Sequence, residues 1–377
     1  MMMKSLIVFS LTILLWLSSC TDQGLAYSDN ELHLEKIVES NLDVDLTSLG
    51  YSLTKIPLIL PDSSSLSGNT HVIYVSQRDS SLFASNGKHI YRFGKNGILK
   101  NKIGIIGQGP VEYQNIFSAT FDSEEKMAYI YAGNNKINVY TFDGIPCKSV
   151  ELQSNGYIGG AYRIKEGYWA ESLDYNEDTT TISLIRFDNN GKKTDEHIIT
   201  SFESKYGPDY YPSPIVYQYD NLQYSYYCPY NSQLYNVGHK EIKRVLSIDG
   251  GKYAFTDNQI NDMDYRSSNR DKFVEILDIY QNDASIFILY TIDRKIYGGI
   301  VDKTSGKCVL NFQTGNPIRG GGVRIDKKAE IKTWPQYVDS HNIYSICFCE
   351  SENLSDYSDT EESLLLILNK ASTRLSD

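Results

Sequence analysis

A six-residue β-strand pattern followed by a glycine-containing turn recurs along this chain, and this repeat restricts the possible folds more than any other feature. The copies are residues 88–93, 137–142, 182–187, 232–237 and 296–301. The sixth position of each copy is phenylalanine or valine: Phe93, Phe142, Phe187, Val237 and Val301. Asn-Gly and Asp-Gly turns supply the positive φ angles that tight hairpins require. Each copy therefore predicts a β-hairpin, and residues 364–368 offer a degenerate sixth copy.

The spacing of the copies indicates the architecture. A further strand is predicted before each copy and, in most cases, another after it. The spacing of about 45 to 65 residues fits propeller blades, which usually repeat every ~40–50 residues, with long loops accounting for the excess. We therefore predict an all-β fold, a six-bladed β-propeller over residues 45–377.

The last predicted blade lacks a fourth strand. An open blade edge would expose unpaired backbone groups, so a propeller has to close its ring. Residues 51–60 read as a strand and lie before the first repeat. We expect this N-terminal strand to complete the last blade.

The N-terminal residues read as an export signal. Lys4 precedes an apolar stretch of about a dozen residues, whereas a helix that spans a bilayer needs ~20. Residues 1–19 therefore predict a signal peptide, and Ser18-Ser19-Cys20 resembles the lipobox of bacterial lipoproteins, with Cys20 as the lipid attachment site. An ordinary secretory signal with a chance cysteine is the alternative. Residues 20–44 are polar and show no sustained hydrophobic period, which predicts a tether. The predicted location is the outer membrane or cell envelope, on either the periplasmic or the surface-exposed side.

Charge and cysteine content narrow the class of protein. The 36 basic and 47 acidic residues give a formal net charge of −11, which disfavours nucleic acid as a partner. The membrane is instead expected as a partner through the lipid anchor. The five cysteines after Cys20 are scattered without metal-ligand spacing and are predicted to be small buried hydrophobes, with one long-range disulfide left open.

A glycine-rich motif marks the first blade junction: Gly107, Gly109, Pro110, Glu112 and Tyr113. Together with the lipobox, the Ile56-Pro57-Leu58 segment and the repeats, it makes nearly the whole chain resemble the six-bladed β-propeller lipoproteins of Gram-negative bacteria, relatives of the NHL-repeat propellers. The resemblance implies an exported, anchored protein of mostly undefined activity. The motif itself predicts a structural crossing between blades, because no Lys-Ser or Lys-Thr follows it as a phosphate-binding loop requires.

No local catalytic or cofactor motif is evident. The six histidines are spread singly, and no nucleophile elbow is present. Two acidic loops could gather calcium, although neither has the EF-hand spacing and solvated loops are the favoured interpretation. Their carboxylates are Asp257, Asp262 and Asp264 in one loop, and Asp356, Asp359, Glu361 and Glu362 in the other.

Tyrosine is the compositional anomaly, with 30 in the chain. Many are expected to pack within blades, since tyrosine is a good strand former. Those in a predicted loop over residues 206–222 are candidates for a ligand-binding rim, because rigid amphipathic rings suit saccharides and peptides. They are Tyr206, Tyr210, Tyr211, Tyr217 and Tyr219.

Two functions remain open at this level. The favoured one is a non-enzymatic binding or scaffold module for a protein, peptide or glycan. The alternative, implied by the NHL-like resemblance, is a metal-dependent hydrolase or lyase with its site at the central channel. Three or more Asp, Asn, Glu or His side chains meeting at one axial point would favour the enzyme, whereas a mixed channel with tyrosine at its rim would favour binding.

Overall fold

The computed structural model describes residues 25–61, 66–176, 178–203, 213–256, 259, 262–269, 271–315, 322–325, 332–349 and 362–370. Within them, six antiparallel four-stranded units follow one another and form the predicted six-bladed β-propeller. The signal peptide and Cys20 lie outside the described residues.

The strands follow the chain in order. The N-terminal segment contains β1 (Tyr27–Ser28), β2 (Glu31–His33), the short helix α1 (Leu34–Val38) and β3 (Tyr51–Leu58). Blade 1 contains β4 (His71–Val75), β5 (Leu82–Ser85), β6 (Ile90–Phe93) and β7 (Leu99–Ile103). Blade 2 contains β8 (Ser118–Asp122), β9 (Met127–Tyr131), β10 (Lys136–Thr141) and β11 (Pro146–Glu151). Blade 3 contains β12 (Tyr157–Ile164), β13 (Gly167–Asn176), β14 (Thr179–Phe187) and β15 (Lys193–Glu203).

The second half continues the pattern. Blade 4 contains β16 (Ile215–Asp220), β17 (Gln223–Cys228), β18 (Gln233–Val237) and β19 (Ile242–Asp249). A 3-10 turn (Gly251–Tyr253) and helix α2 (Met263–Asn269) lead to blade 5, which contains β20 (Glu275–Gln281), β21 (Ser285–Ile292), β22 (Lys295–Asp302) and β23 (Lys307–Thr314). A ribbon of β24 (Val323–Arg324) and β25 (Lys332–Thr333) precedes blade 6, which contains β26 (Tyr337–Val338), β27 (Asn342–Cys349), β28 (Glu362–Lys370) and β3.

The N-terminal strand closes the ring as predicted. β3 pairs antiparallel with β28 over its whole length, from Leu58 opposite Ser363 to Tyr51 opposite Lys370. The strand ends at Leu58, and Ile59 then forms a parallel bridge to Ile98 of blade 1. The chain therefore joins its first and last blades through backbone hydrogen bonds on both sides of this segment.

Each copy of the sequence repeat is the third strand of a blade, and in blades 1, 2 and 3 the turn glycine contacts the preceding blade. A Cβ atom placed on Gly144 would stand 2.6 Å from the carbonyl oxygen of Lys102, in the outer strand of blade 1. A Cβ on Gly191 would stand 2.0 Å from the carbonyl oxygen of Glu151, in the outer strand of blade 2. Glycine is thus required there both for its positive φ and for the close approach between blades.

The interpretation of residues 20–44 as a tether is wrong for residues 25–44. β2 pairs in parallel with β19, which extends blade 4 to six strands. Leu32, Leu34 and Ile37 are at most 3% exposed and join a core cluster with blades 4 and 5. The sequence shows no sustained period here because these elements are only two to five residues long.

The cysteine prediction holds only in part. Cys228 and Cys308 are buried free thiols, and Cys347 is half-buried. Cys147 is free but exposed, because it lies on β11, an outer strand that is almost entirely solvent-facing. The described cysteines form no disulfide with one another.

The glycine-rich motif folds onto itself between blades 1 and 2. The Glu112 carboxylate accepts a hydrogen bond from the Gly109 amide (2.8 Å), and the buried Tyr113 donates from its hydroxyl to the carbonyl of Ile103 (3.3 Å). Blade 2 also contacts this loop, because the Ser149 hydroxyl donates a hydrogen bond to the carbonyl of Pro110 (2.7 Å). A Cβ on Gly107 would overlap the Glu112 carboxylate, which accounts for glycine at that position by packing alone.

Candidate functional site at the channel mouth

The first strands of the blades contact one another and line the central channel. Side chains of the protein bridge this channel along part of its length. Gln218 on β16 reaches across to blade 2, where its amide accepts from the Phe121 nitrogen (2.9 Å) and donates to the Phe121 carbonyl (2.7 Å). Tyr337 of blade 6 donates to the Tyr219 carbonyl of blade 4 (3.3 Å). These bonds tie blades on different sides of the axis together.

A pocket of about 620 Å³ opens at one mouth of this channel. Its walls come from the ends of the first strands of blades 1, 4, 5 and 6, from the third-to-fourth strand hairpins of blades 4 and 5, and from the β1–β2 turn. Side chains from distant parts of the chain therefore converge on one space. We call it the channel-mouth pocket. Its lining includes Gln77, Tyr217, Tyr219, Gln281, Lys303 and Asp339.

Two of the five candidate rim tyrosines line this pocket, although not as loop residues. Tyr217 and Tyr219 lie on strand β16, so the predicted loop over residues 206–222 is wrong for residues 215–220. Tyrosine is a good strand former, and both side chains point to the same face because they are two residues apart. Tyr206, Tyr210 and Tyr211 lie outside the described residues.

The tyrosines of the pocket form an aromatic group. The Tyr217 ring lies 4.8 Å from the Tyr280 ring and 6.4 Å from the Tyr219 ring, measured between centroids. The Tyr217 hydroxyl accepts a hydrogen bond from the backbone nitrogen of Gln281 (3.0 Å), which fixes the ring. Burial raises the pKa of Tyr217 to about 12, so the hydroxyl stays protonated and can also donate.

Lys303 of blade 5 also lines the pocket and supplies an ammonium group. Lys303 donates from Nζ to the Gln281 Oε1 (3.0 Å) and to the Asn282 carbonyl (2.7 Å). Burial lowers the pKa of Lys303. These two bonds orient the lysine, and neither acceptor is a carboxylate. The third N–H of the ammonium group can therefore donate to a ligand in the pocket.

The Asp339 carboxylate, on the wall formed by blades 1 and 6, accepts hydrogen bonds at both of its oxygens. Asp339 Oδ2 accepts from Gln77 Nε2 (2.7 Å) and from the Tyr344 hydroxyl (2.9 Å). Asp339 Oδ1 accepts from the backbone nitrogens of His341 (2.8 Å) and Asn342 (2.7 Å). This network preorganises the wall across blades 1 and 6.

A second carboxyl, Asp278, lies close to the aromatic group. Asp278 precedes Tyr280 by two residues on β20 and accepts from the Ile279 nitrogen (3.0 Å). Burial raises the pKa of Asp278 to about 7, against the opposing effect of hydrogen bonds from Tyr280 and the Ile279 amide. Near neutral pH this carboxyl is therefore protonated in a substantial fraction of the folded molecules.

At the channel, no three of the described His, Cys, Asp and Glu side chains lie within mutual metal-ligand reach. Among the described residues, one group of three metal-ligating side chains lies within mutual reach: Glu31, His33 and Asp249. It is at the outer edge of blade 4, away from the axis. Of the acidic loops considered for calcium, Asp262 and Asp264 are described near helix α2, while Asp257 and residues 356–361 lie outside the described residues and nothing is described of the Glu362 side chain.

Another depression, of about 540 Å³, runs along the outer strand β11 between blades 2 and 3. Its walls are consecutive residues of one strand and the turn that follows it, with Asn189 and Asn190 from blade 3. It lacks aromatic side chains and convergence from several blades. The channel-mouth pocket is therefore the better candidate site.

The fold and the pocket define a β-propeller with a polar, tyrosine-lined channel mouth. A family model described as a domain of unknown function, DUF4934, matches residues 30–374, and the chain belongs to this family. A search of curated proteins finds no match to the chain. Within the described residues, no helix is both long and apolar enough to span a bilayer.

Solved structures resemble the chain at the level of the fold. A protein of Bacteroides fragilis NCTC 9343, provisionally described as exported, superposes with a TM-score of 0.63 and 17% identity, over 90% of this chain and 99% of that one. A member of the DUF4221 family from Bacteroides vulgatus ATCC 8482 has a TM-score of 0.45 and 8% identity, over 85% and 97% of the two chains. The β-propeller domain of Cps50 (Swd1) from Myceliophteria thermophila has a TM-score of 0.39 and 10% identity, over 81% and 97%.

Proposed function

We propose that this protein is a non-enzymatic binding module that takes a saccharide in the channel-mouth pocket. The observation that carries the proposal is the grouping of Tyr217 and Tyr219 beside carboxamide and carboxylate groups from three other blades. Sugar hydroxyls pair with planar amides and carboxylates, and the apolar faces of sugar rings pack on tyrosine. The walls are already hydrogen-bonded to one another, which lowers the ordering cost of binding.

A peptide is the second ligand to be tested at this pocket, because the same polar groups can pair with backbone amides. The metal-dependent hydrolase or lyase has weaker support. Its site would need several convergent ligands on the axis, and the described axis is instead bridged by Gln218 and Tyr337. The pocket thus fits recognition better than metal-assisted hydrolysis.

Replacing Tyr219 tests the pocket directly. Tyr219→Ala is expected to weaken saccharide binding by about fivefold or more, since an aromatic contact at a binding site is worth roughly 1 kcal/mol or more. Glycan-array hits of the full-length protein would be followed by titration calorimetry on both proteins. The matched control is Tyr175→Ala, which removes an exposed tyrosine on β13 that does not line the pocket.

The outcomes separate the candidates. Loss of binding in Tyr219→Ala with retention in Tyr175→Ala supports the pocket. Equal affinities in both variants would place the ligand elsewhere, and binding of peptides without any glycan would replace the saccharide by a peptide.

We further propose that the protein is exported and anchored in the cell envelope through a lipid on Cys20. The lipobox-like Ser18-Ser19-Cys20 and the fold shared with a protein described as exported support this. Cys20→Ala should move nearly all of the protein out of the membrane fraction, because stable anchoring depends on the acyl chains. Cys147→Ala, at an exposed free thiol, is the control and should stay membrane-bound. Unchanged detergent partitioning of Cys20→Ala would contradict lipidation.

A further inference from the structure

A buried carboxyl with no hydrogen-bond partner among the described residues lies between blades 3 and 4, away from the channel-mouth pocket. Glu171 on β13 is 5% exposed, and none of the described residues gives it a hydrogen bond or an ion pair. Its neighbours along the strand, Trp169 and Leu173, belong to the apolar cluster between these blades, and alternation along the strand puts Glu171 on the same face. Burying an ionised carboxylate without a partner is costly, so such a group requires an explanation.

Other unsatisfied or neutral polar groups surround this carboxyl. Tyr226 on β17 faces it from blade 4, is 1% exposed, and has a hydroxyl without a hydrogen-bond partner among the described residues. Tyr162 on β12 and Cys228 on β17 also interact with Glu171 electrostatically. Carboxyl, phenol and thiol groups from two blades therefore lie within electrostatic reach of one another.

Two glycines make room for these polar groups at the first strand. Glu171 is opposite Gly160 in the pairing of β12 with β13, next to a bulge at Gly159. A Cβ on Gly159 would stand 3.4 Å from the Glu171 carboxyl carbon, and one on Gly160 would stand 2.4 Å from the Tyr162 hydroxyl. Gly159, which lies against this carboxyl, is partly exposed to solvent.

We propose that this space between blades 3 and 4 binds the protonated amino group of a small organic amine. Glu171 supplies a single negative charge, and the unpartnered Tyr226 oxygen supplies a further acceptor for an N–H donor. A divalent ion would need more carboxylates than this one.

The charge state of Glu171 governs the binding. Burial raises the pKa of Glu171 to about 7, raises that of Cys228 to about 11, and keeps Tyr162 and Tyr226 protonated well above neutral pH. Of the groups facing each other here, Glu171 is thus the one that changes charge between acid and neutral pH. The ionised form is favoured by a bound cation and disfavoured without one, so in the free protein stability falls as the pH rises from about 4.5 to about 7.

Methylammonium chloride is the probe, and the Tm of the full-length protein is the readout. At about pH 8 a large excess should raise the Tm by a few degrees, because a ligand that binds the folded state stabilises it by mass action. At about pH 5 only about 1% of Glu171 would be ionised, so the apparent affinity should be about 100-fold lower. Potassium chloride at equal concentration controls for ionic strength.

Variants assign the effect to this site. Glu171→Gln should abolish the methylammonium shift and, without amine, unfold at a higher Tm than the parent at about pH 8 but not at about pH 4. Asp278→Asn, the matched change at another carboxyl with a raised pKa, should retain the shift. If Glu171→Gln does not fold, Tyr226→Phe replaces it and should weaken binding several-fold by removing one acceptor. Equal shifts with potassium, a shift that persists in Glu171→Gln, or no shift in the parent would each overturn the proposal.

Discussion

Deleting the chain through Leu60 is expected to abolish cooperative folding of the propeller. This deletion removes β3, so β28 becomes an open edge and Leu58 and Tyr51 leave the cores that they share with blades 1, 5 and 6. Eight residue pairs are lost, and backbone hydrogen bonds contribute net about 1 kcal/mol each. Together with the lost apolar burial, this approaches the typical total stability of about 5–15 kcal/mol.

A second truncation separates the effect of losing β3 from the effect of losing β1, β2 and α1. A chain truncated through Gly50 also loses β1, β2 and α1 but keeps β3, and we expect it to unfold in one transition at a reduced Tm. A permuted chain in which residues 51–60 follow residue 377 should recover much of the loss. Urea unfolding monitored by tryptophan fluorescence measures all three. A cooperative transition of equal midpoint in both truncated chains would contradict closure by β3.

Gly191→Ala should lower the free energy of unfolding by about 3 kcal/mol or more. The residue has φ +81°, which costs a non-glycine residue roughly 1–2 kcal/mol. Its new methyl group would stand 2.0 Å from the Glu151 carbonyl oxygen, so the hairpin of blade 3 must move away from blade 2. Overpacking of this kind costs about 1–3 kcal/mol more. The hydrogen bond from the Gln153 nitrogen to the Gly191 carbonyl (2.8 Å) would also be strained.

Gly87→Ala separates these two contributions. Gly87 has nearly the same backbone angle, φ +83°, but a Cβ there meets nothing within 4 Å. We therefore expect a loss of about 1 kcal/mol from backbone strain alone. Guanidinium unfolding of both variants gives the difference. If the two losses were equal, the contact between blades would not be the reason for glycine in the repeat.

The repeated strand and the closing strand could be predicted because both depend on local pattern. An aromatic residue or valine before a glycine turn determines a hairpin wherever it occurs, so counting copies gives the number of blades. The open edge of the last blade then requires a strand from elsewhere, and residues 51–58 were the available one. The N-terminal extension was missed because its buried residues, such as Leu32 and Ile37, belong to elements too short to show a period.

The sequence by itself determined the class of fold, its blade number and the glycines between blades, since strand and turn preferences act between neighbours in the chain. Only the tertiary structure placed Tyr217 beside Tyr280 and Lys303, and Glu171 beside Tyr226. These residues come from different blades, and no local pattern encodes which blades adjoin or how far a side chain reaches across the axis. Contacts of this kind follow from ring closure, because the circular packing of blades brings together residues that are separated by dozens of positions.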